Sequence, residues 1–203
     1  MAPLLITIEG IDQSGKKTQS ELLAQKLRAL GYNSVRLSFP DYQTPVGQLV
    51  RKILTNEVHV PLEVKHILLS ANRWELKSKI EELIRQHWVI IFDRYYQSNW
   101  AYGLANNLPL DWLRNLDNGL PPPNLTIVID ISPSVSFKRK EQGRDVHEQD
   151  LSYLSRVRKC FIELANENGW MIIDGDRSIE EVHNSIWKVV SESLKHSMLR
   201  PAL

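Results

Sequence analysis

The chain has 203 residues, a length typical of a single domain, and 42% of them are hydrophobic, which is enough for a globular core. Its 25 lysines and arginines nearly balance its 24 aspartates and glutamates, so the composition offers no broad basic surface for a nucleic-acid polymer or an anionic membrane. A small anionic substrate remains compatible with this balance, because a few local cations are sufficient to bind it.

Two features bear on cellular location: the cysteine content and the first residues. Cys160 is the only cysteine, so an internal disulfide is excluded. The segment 1–6 is too short for a secretory signal and lacks its basic residues, and no apolar run approaches the roughly 20 residues that a membrane span needs. We therefore expect a single domain over residues 1–203 in the reducing cytoplasm.

Short apolar runs alternate with longer amphipathic stretches, the pattern of an α/β fold with a parallel sheet. In chain order, this pattern predicts strands at 4–9, 34–37, 89–92, 126–131 and 171–174. It predicts helices at 18–30, 63–85, 98–106, 151–168 and 179–194. Together these elements give a sheet of about five strands with helices on both faces, whose ligands lie beyond the carboxyl ends of the strands.

The segment 9–18, Glu-Gly-Ile-Asp-Gln-Ser-Gly-Lys-Lys-Thr, lies between the first strand and the first helix, as a phosphate-binding loop requires. Its glycines let backbone N–H groups turn inward around phosphate oxygens, and the helix adds the positive end of its dipole. An ordinary turn does not explain the order of strand, loop, lysine and helix. The residues predicted to bind the nucleotide are Gly10, Gln13, Ser14, Gly15, Lys16, Lys17 and Thr18.

The position after Lys16 departs from the usual pattern of such loops. A serine or threonine normally stands there, and its hydroxyl helps to hold Mg²⁺. This chain has Lys17 instead, followed by Thr18. An ammonium group cannot ligate Mg²⁺ and repels it, so two interpretations stay open: the metal is held through water and Asp93, or catalysis is weakened.

A second motif, Asp93-Arg94-Tyr95, follows the strand at 89–92 and therefore emerges at the same edge of the sheet as the phosphate loop. The Asp93 carboxylate suits Mg²⁺ or its water ligands, and Arg94 offers a planar fork for phosphate oxygens. The alternative interpretation is an ion pair that only stabilises the end of the strand.

Two further segments carry cations. Arg73 lies on a predicted helix beside Trp74, where it could grip the edge of a base or be an ordinary solvated arginine. The segment 138–148 is short, basic and contains Gly143. It is predicted to form a flap that closes over phosphates, with a solvated basic loop as the alternative.

Taken together, these motifs resemble the thymidylate kinase family along nearly the whole chain. The segments 9–12, 39–40, 70–75 and 93–95 recur in that family in this order. Residues 71–75, 110–112 and 119–121 are similar to its eukaryotic and large-virus branch. The resemblance implies a P-loop nucleoside monophosphate kinase, which transfers a phosphoryl group from ATP with Mg²⁺ to dTMP, giving dTDP and ADP for dTTP synthesis. It also implies a homodimer.

The resemblance implies roles for individual residues. Asp12 would reach the 3′-hydroxyl side of the deoxyribose, Arg94 would bind the acceptor phosphate, and Arg73 would hydrogen-bond the thymine edge. Tyr102 would lie beside the sugar, where an aromatic ring helps to exclude a 2′-hydroxyl. Arg177 would approach the adenine. The implied substrate-binding residues are Asp12, Phe39, Leu69, Arg73, Arg94, Ser98, Tyr102 and Glu148, and the implied catalytic residues are Asp12, Lys16, Arg94 and Arg144.

Three positions depart from the family pattern. Tyr42 stands where the family usually has an arginine, which removes a cation near the acceptor phosphate. Leu69 replaces the aromatic ring that stacks on thymine. Gln13 stands where some members have an arginine, and the members without it carry basic residues in the flap, as this chain does.

Two alternative functions stay open. Lys17, Tyr42 and Leu69 favour a nucleotide-binding homologue whose catalysis is weakened or lost. A deoxynucleoside kinase also joins a phosphate loop to an acidic–arginine pair at a strand end, and it would accept thymidine itself.

Overall fold

The computed structural model describes residues 3–139 and 151–199, and within them the chain forms a parallel sheet. Its strands are β1 (Leu4–Glu9), β2 (Ser34–Ser38), β3 (Val89–Asp93), β4 (Leu125–Asp130) and β5 (Met171–Asp174). They lie in the order β2-β3-β1-β4-β5, and all neighbouring strands are parallel. The predicted α/β class and each predicted strand are confirmed, with ends that differ by at most one residue.

Helices connect the strands: α1 (Lys16–Ala29), α2 (Pro45–Leu54), α3 (Leu62–Trp74), α4 (Lys77–Gln86), α5 (Tyr96–Leu104), α6 (Leu110–Leu116), α7 (Pro133–Arg139), α8 (Leu151–Asn168) and α9 (Ile179–Leu199). The single helix predicted over 63–85 is wrong, because Leu76 adopts φ −100° and ψ 3° and separates α3 from α4. The short helices α2, α6 and α7 were not predicted. Among the described residues, no helix combines the length and apolar character needed to cross a bilayer.

Helices cover both faces of the sheet, because successive strand residues point to opposite sides. On β1, Ile6 and Ile8 pack with Leu23 of α1 and with α9. Leu5 lies on the opposite side, in the cluster that contains Ile80 of α4. Burying each such side chain stabilises the fold by about 1.5–3 kcal/mol relative to leaving it exposed. The two layers therefore hold the strand ends, from which the functional loops emerge, in a fixed arrangement.

The carboxyl ends of β1 and β3 meet at one edge of the sheet. Ile8 is the parallel partner of Asp93, and the Arg94 N–H donates to the Ile8 carbonyl at 3.1 Å. The loop after β1 and the residues after β3 therefore lie side by side. Open α/β sheets bind their ligands at this kind of edge.

Candidate active site

The loop after β1 has a backbone that requires glycine at its first position. Gly10 has φ 140°, and a Cβ there would lie 2.5 Å from the Ile129 carbonyl oxygen of β4. Gln13 and Gly15 also have positive φ values, 61° and 96°, and Gly15 is the residue that precedes α1. This sequence of conformations packs the loop against β4 and leads it into the N-terminus of a helix, as expected for a phosphate-binding loop.

Lys16 occupies the first turn of α1 and is buried. Its Nζ donates to the Ile11 carbonyl at 2.6 Å and to the Ser14 hydroxyl at 3.3 Å. Burial, followed by the positive charge of Arg94, lowers the pKa of Lys16 to about 7. The lysine lines a cavity of about 720 Å³, together with the other predicted loop residues from 12 to 18.

Arg94 lies at the centre of a half-buried polar cluster. It adopts φ 63°, forms an ion pair with Asp12, and donates to the Ser98 hydroxyl at 3.2 Å. The Tyr102 hydroxyl donates to the other Asp12 oxygen at 2.8 Å. Burial opposes the charge of Arg94, but the nearby acidic groups keep its pKa raised. Four of the predicted substrate-binding residues are thus in mutual contact.

Glu9 also belongs to this cluster, although sequence analysis gave it no role. It is fully buried, and it accepts hydrogen bonds from the Ser98 hydroxyl at 2.5 Å and from the Tyr95 N–H at 2.7 Å. Burial raises the pKa of Glu9 in spite of these donors. The carboxylate therefore ties the end of β1 to the start of α5, where the residues of the predicted acceptor site lie.

Asp93 pairs with a cation that sequence analysis did not identify. Arg36 of β2 donates through Nη2 to Asp93 Oδ2 at 2.5 Å, and Ser38 donates to the same oxygen at 3.4 Å. Arg36 also donates to the Ser20 hydroxyl at 2.6 Å. The strand-end ion pair considered above is therefore present. Both contacts use Oδ2, so among the described residues Oδ1 has no partner and is the oxygen left for another ligand.

The donor set at this edge fits Mg²⁺ held mainly by its nucleotide. Mg²⁺ commonly keeps several waters and takes one or two carboxylates together with substrate phosphates. Asp93 lines the larger cavity and offers one oxygen, and Lys17 and Thr18 line it with exposed side chains. Among the described residues, no three His, Cys, Asp or Glu side chains gather into a cage for a metal ion.

A second cavity, of about 130 Å³, lies between α3 and α5. Its walls include most of the residues predicted to contact the acceptor: Asp12, Phe39, Leu69, Arg73, Arg94, Ser98 and Tyr102. His66 and Asn99 also line it and were not predicted; the Asn99 amide donates to the His66 carbonyl at 3.2 Å. In the sequence, each of these two residues stood out only as a polar residue on an otherwise apolar helical face.

Arg73 is not the solvated arginine that was one interpretation of its segment. It is 3% exposed and forms a bidentate pair with Asp117, with Nε donating to Oδ1 at 2.9 Å and Nη2 donating to Oδ2 at 2.8 Å. Asp117 was not identified from the sequence, because it lies 44 residues away on the turn after α6.

The two cavities meet at a common wall that contains Asp12, Phe39, Tyr42 and Arg94. At the far end of the larger cavity, Arg139 donates to the Gln13 carbonyl at 3.2 Å. Arg177 lines the same end and pairs with Asp174 at 2.8 Å. Arg144, Glu148 and the flap from residue 140 onward lie outside the described residues.

A phosphate loop with a buried lysine, joined through one arginine to a second, smaller cavity, defines a phosphotransferase of the P-loop class. Comparison with known proteins identifies the family: residues 8–186 match the family model described as thymidylate kinase. The chain belongs to the thymidylate kinase family. The predicted enzyme class, an ATP-dependent nucleoside monophosphate kinase that uses Mg²⁺, is therefore confirmed.

Individual relatives cover the chain nearly from end to end. The thymidylate kinase of Homo sapiens is 33% identical over 97% of this chain and 94% of its own length. That of Plasmodium falciparum is 35% identical over 92% of this chain and 89% of its own. A solved thymidylate kinase structure from Candida albicans has a TM-score of 0.86 at 34% identity, covering 96% of this chain and 94% of that one. These findings give no support to a deoxynucleoside kinase or to a homologue with weakened catalysis.

Proposed function

We propose that this protein transfers the γ-phosphoryl group of ATP to dTMP, giving dTDP and ADP in the synthesis of dTTP. The observation that carries the proposal is the wall shared by the two cavities, formed by Asp12 and Arg94. A donor phosphate in the larger cavity and an acceptor phosphate at the mouth of the smaller one would meet at the same guanidinium. Such positioning supplies much of the rate enhancement in phosphoryl transfer, because this reaction needs little covalent chemistry from the protein.

The acceptor would lie in the smaller cavity. Arg73 would donate to the edge of the thymine, and Leu69 and Phe39 would pack against its ring, with aliphatic contact in place of stacking at position 69. Asp12 and Tyr102, which hydrogen-bond each other, would contact the sugar. Arg94 and Ser98 would bind the acceptor phosphate, and Glu148 would complete the acceptor site from the flap.

The ATP would lie in the larger cavity. Its phosphates would be bound by the backbone N–H groups of the loop and by Lys16, whose buried ammonium is a strong donor to anionic oxygens. Arg177 would contact the adenine. Mg²⁺ would neutralise phosphate charge and orient the phosphate chain, held by the phosphates, by water and by Asp93. Thr18, which also carries a hydroxyl, lines the same cavity.

In the transfer step, an oxygen of the dTMP phosphate attacks the γ-phosphorus in line, and the bond to the β-phosphate oxygen breaks as ADP leaves. Lys16 and Arg94, which both line the larger cavity, would stabilise the charge on the moving group. Arg144 of the flap would add a third cation and would help to exclude water, which suppresses hydrolysis of ATP.

The assembly and location of the protein form part of the same proposal. Residues 1–203 form one domain, and two copies associate through α3, which exposes the apolar side chains of Val64, Ile67 and Trp74 on one face. The enzyme acts in the cytoplasm on small molecules, without a nucleic-acid polymer or a membrane as partner. The near balance of acidic and basic residues supports this choice of partners.

The test is ADP production with ATP–Mg²⁺ and each of dTMP, dUMP, dCMP, dGMP and thymidine. The enzyme from Candida albicans has broad substrate specificity, so the panel measures preference as well as activity. We expect the highest kcat/KM with dTMP and negligible turnover of thymidine, which lacks the phosphate that Arg94 would bind. Lys16→Ala should abolish turnover in a folded protein. Turnover of thymidine at the rate of dTMP would overturn the proposal.

A further inference from the structure

The guanidinium of Arg73 is held in one plane by Asp117. Two parallel hydrogen bonds of 2.9 and 2.8 Å join Nε and Nη2 to the two carboxylate oxygens. The side chains are only 4% and 1% exposed, so water does not compete for this pair. A bidentate contact of this kind fixes orientation as well as charge. No hydrogen bond among the described residues uses Nη1, so its donors remain for a ligand in the cavity that Arg73 lines.

Asp117 is itself fixed by residues of α3. The Ser70 hydroxyl lies 2.9 Å from Asp117 Oδ1, and the Trp74 indole donates to the neighbouring Leu116 carbonyl at 2.7 Å. Two residues further on, a Cβ at Gly119 would lie 3.0 Å from the Trp74 ring, so the turn is packed closely on α3. The backbone that carries the Asp117 carboxylate is therefore held against α3.

We propose that Asp117 is a positioning residue that sets base specificity. This inference rests on the proposed function, in which the base occupies the smaller cavity. A guanidinium has donors and no acceptor. A fixed guanidinium therefore favours a base that presents a carbonyl oxygen to it, as thymine and uracil do, and disfavours one that presents an amino group, as cytosine does. A mobile guanidinium would adapt to both and would select less strongly.

The primary test is Asp117→Asn, which keeps the size of the side chain but places an amide N–H₂ against one guanidinium nitrogen. We expect kcat/KM for dTMP to fall about 10–100-fold, the range set by hydrogen bonds to charged groups. We expect kcat/KM for dCMP to change little, so that the dTMP to dCMP preference falls about tenfold or more. The KM for ATP should stay within about twofold, because Asp117 does not line the larger cavity.

Asp130→Asn is the matched control. Asp130 forms the same bidentate pair with Arg158, at 2.6 and 2.8 Å, and lines neither cavity. It should lower stability without changing the ratio of dTMP to dCMP. Ser70→Ala, which removes the hydroxyl that lies 2.9 Å from Asp117 Oδ1 and 2.8 Å from the Leu116 carbonyl, provides a milder variant if Asp117→Asn does not fold. It should shift the same ratio in the same direction, by about two- to fivefold.

A second measurement tests directly whether the Arg73 guanidinium is held in place. In the full-length protein, the Nε–H resonance of Arg73 should exchange slowly with solvent at neutral pH and should be lost in Asp117→Asn but kept in Asp130→Asn. An Asp117→Asn protein that keeps the dTMP to dCMP preference, or that loses both activities equally with no change in this resonance, overturns the inference. A wild-type protein with no preference for dTMP would instead count against the proposed function.

Discussion

The charged form of Lys16 is disfavoured, because the side chain is buried and donates to the neutral oxygens of Ile11 and Ser14. Its pKa of about 7 means that the ligand-free protein holds this lysine partly neutral near neutral pH. Nucleotide phosphates favour the ammonium form, because an opposite charge at hydrogen-bonding distance stabilises it. We therefore expect nucleotide binding at the proposed site to be coupled to protonation of Lys16.

We predict that ATP binding at pH 8 takes up close to one proton. The sign follows from the lowered pKa: above pH 7 the free protein has lost the proton that the complex regains, whereas at pH 6 the lysine is already charged and uptake is small. Titration calorimetry in buffers of different ionisation enthalpy measures this number. Lys16→Met should show almost no uptake at pH 8. Equal uptake by both proteins would assign the proton to another group.

Lys17 has an exposed side chain that lines the larger cavity, where it would place a second cation beside the phosphates of the proposed ATP site. Lys17→Thr should lower the Mg²⁺ concentration needed for half-maximal rate, because it removes repulsion and adds a hydroxyl. The measurement is a Mg²⁺ titration of initial rate at saturating ATP and dTMP. Lys17→Met separates the two effects, since it removes the charge alone. Superimposed curves for the wild type and both variants would place Lys17 away from the metal.

At the scale of elements, the phosphate loop depends on its close approach to β4. Gly10→Ala should lower the free energy of unfolding by more than Gly31→Ala, although both glycines have positive φ values, 140° and 83°. Gly31 has open space around it, so the alanine substitution there costs only the backbone strain, about 1–2 kcal/mol. Gly10→Ala adds a clash with the Ile129 carbonyl and should also abolish turnover. Equal urea midpoints for the two variants would contradict this account of the loop.

Helix α3 presents Leu69 and Arg73 to the smaller cavity from one face. Leu69→Phe should leave the KM for dTMP unchanged or modestly lower, because a stacked ring adds about 0.5–1.5 kcal/mol beyond the area it buries. Steady-state kinetics with dTMP measure this, and the KM for ATP provides the internal control. A large rise in the KM for dTMP would show that the cavity has no room for a ring at this position.

The strands and most of the longer helices could be predicted from periodicity, whereas the short helices α2, α6 and α7 and the pairings between side chains could not. The strands were found because their apolar runs are short and continuous, and the loop because its glycines and lysine have fixed spacing. Arg36–Asp93 and Arg73–Asp117 join residues 57 and 44 positions apart, and no local pattern marks such a pair. The helix predicted over 63–85 was wrong for a related reason, since Leu76, where the helix breaks, packs with the cluster that contains Leu5 and Ile80, and no local helix-stop signal marks it.

At the scale of the whole molecule, helix α3 exposes apolar side chains on one surface. Val64, Ile67 and Trp74 are 37%, 45% and 37% exposed, and their spacing of three and seven residues places them on one side of the helix. His66 and Arg73, which lie roughly on the other side of the helix, are buried. A contiguous apolar face of this kind is typical of a surface that binds another protein.

We predict that this face joins two copies of the chain and that Ile67→Glu yields a monomer at concentrations where the wild type is a dimer. A charge at the centre of the contact would have to be buried without a partner, which costs several kcal/mol. Sedimentation equilibrium distinguishes one 23.5 kDa chain from two. The matched control is Leu30→Glu, which places the same charge on an apolar side chain that is 55% exposed at the end of α1, and it should remain dimeric. A monomeric wild type, or dissociation by both substitutions, would contradict the assignment of α3 as the interface.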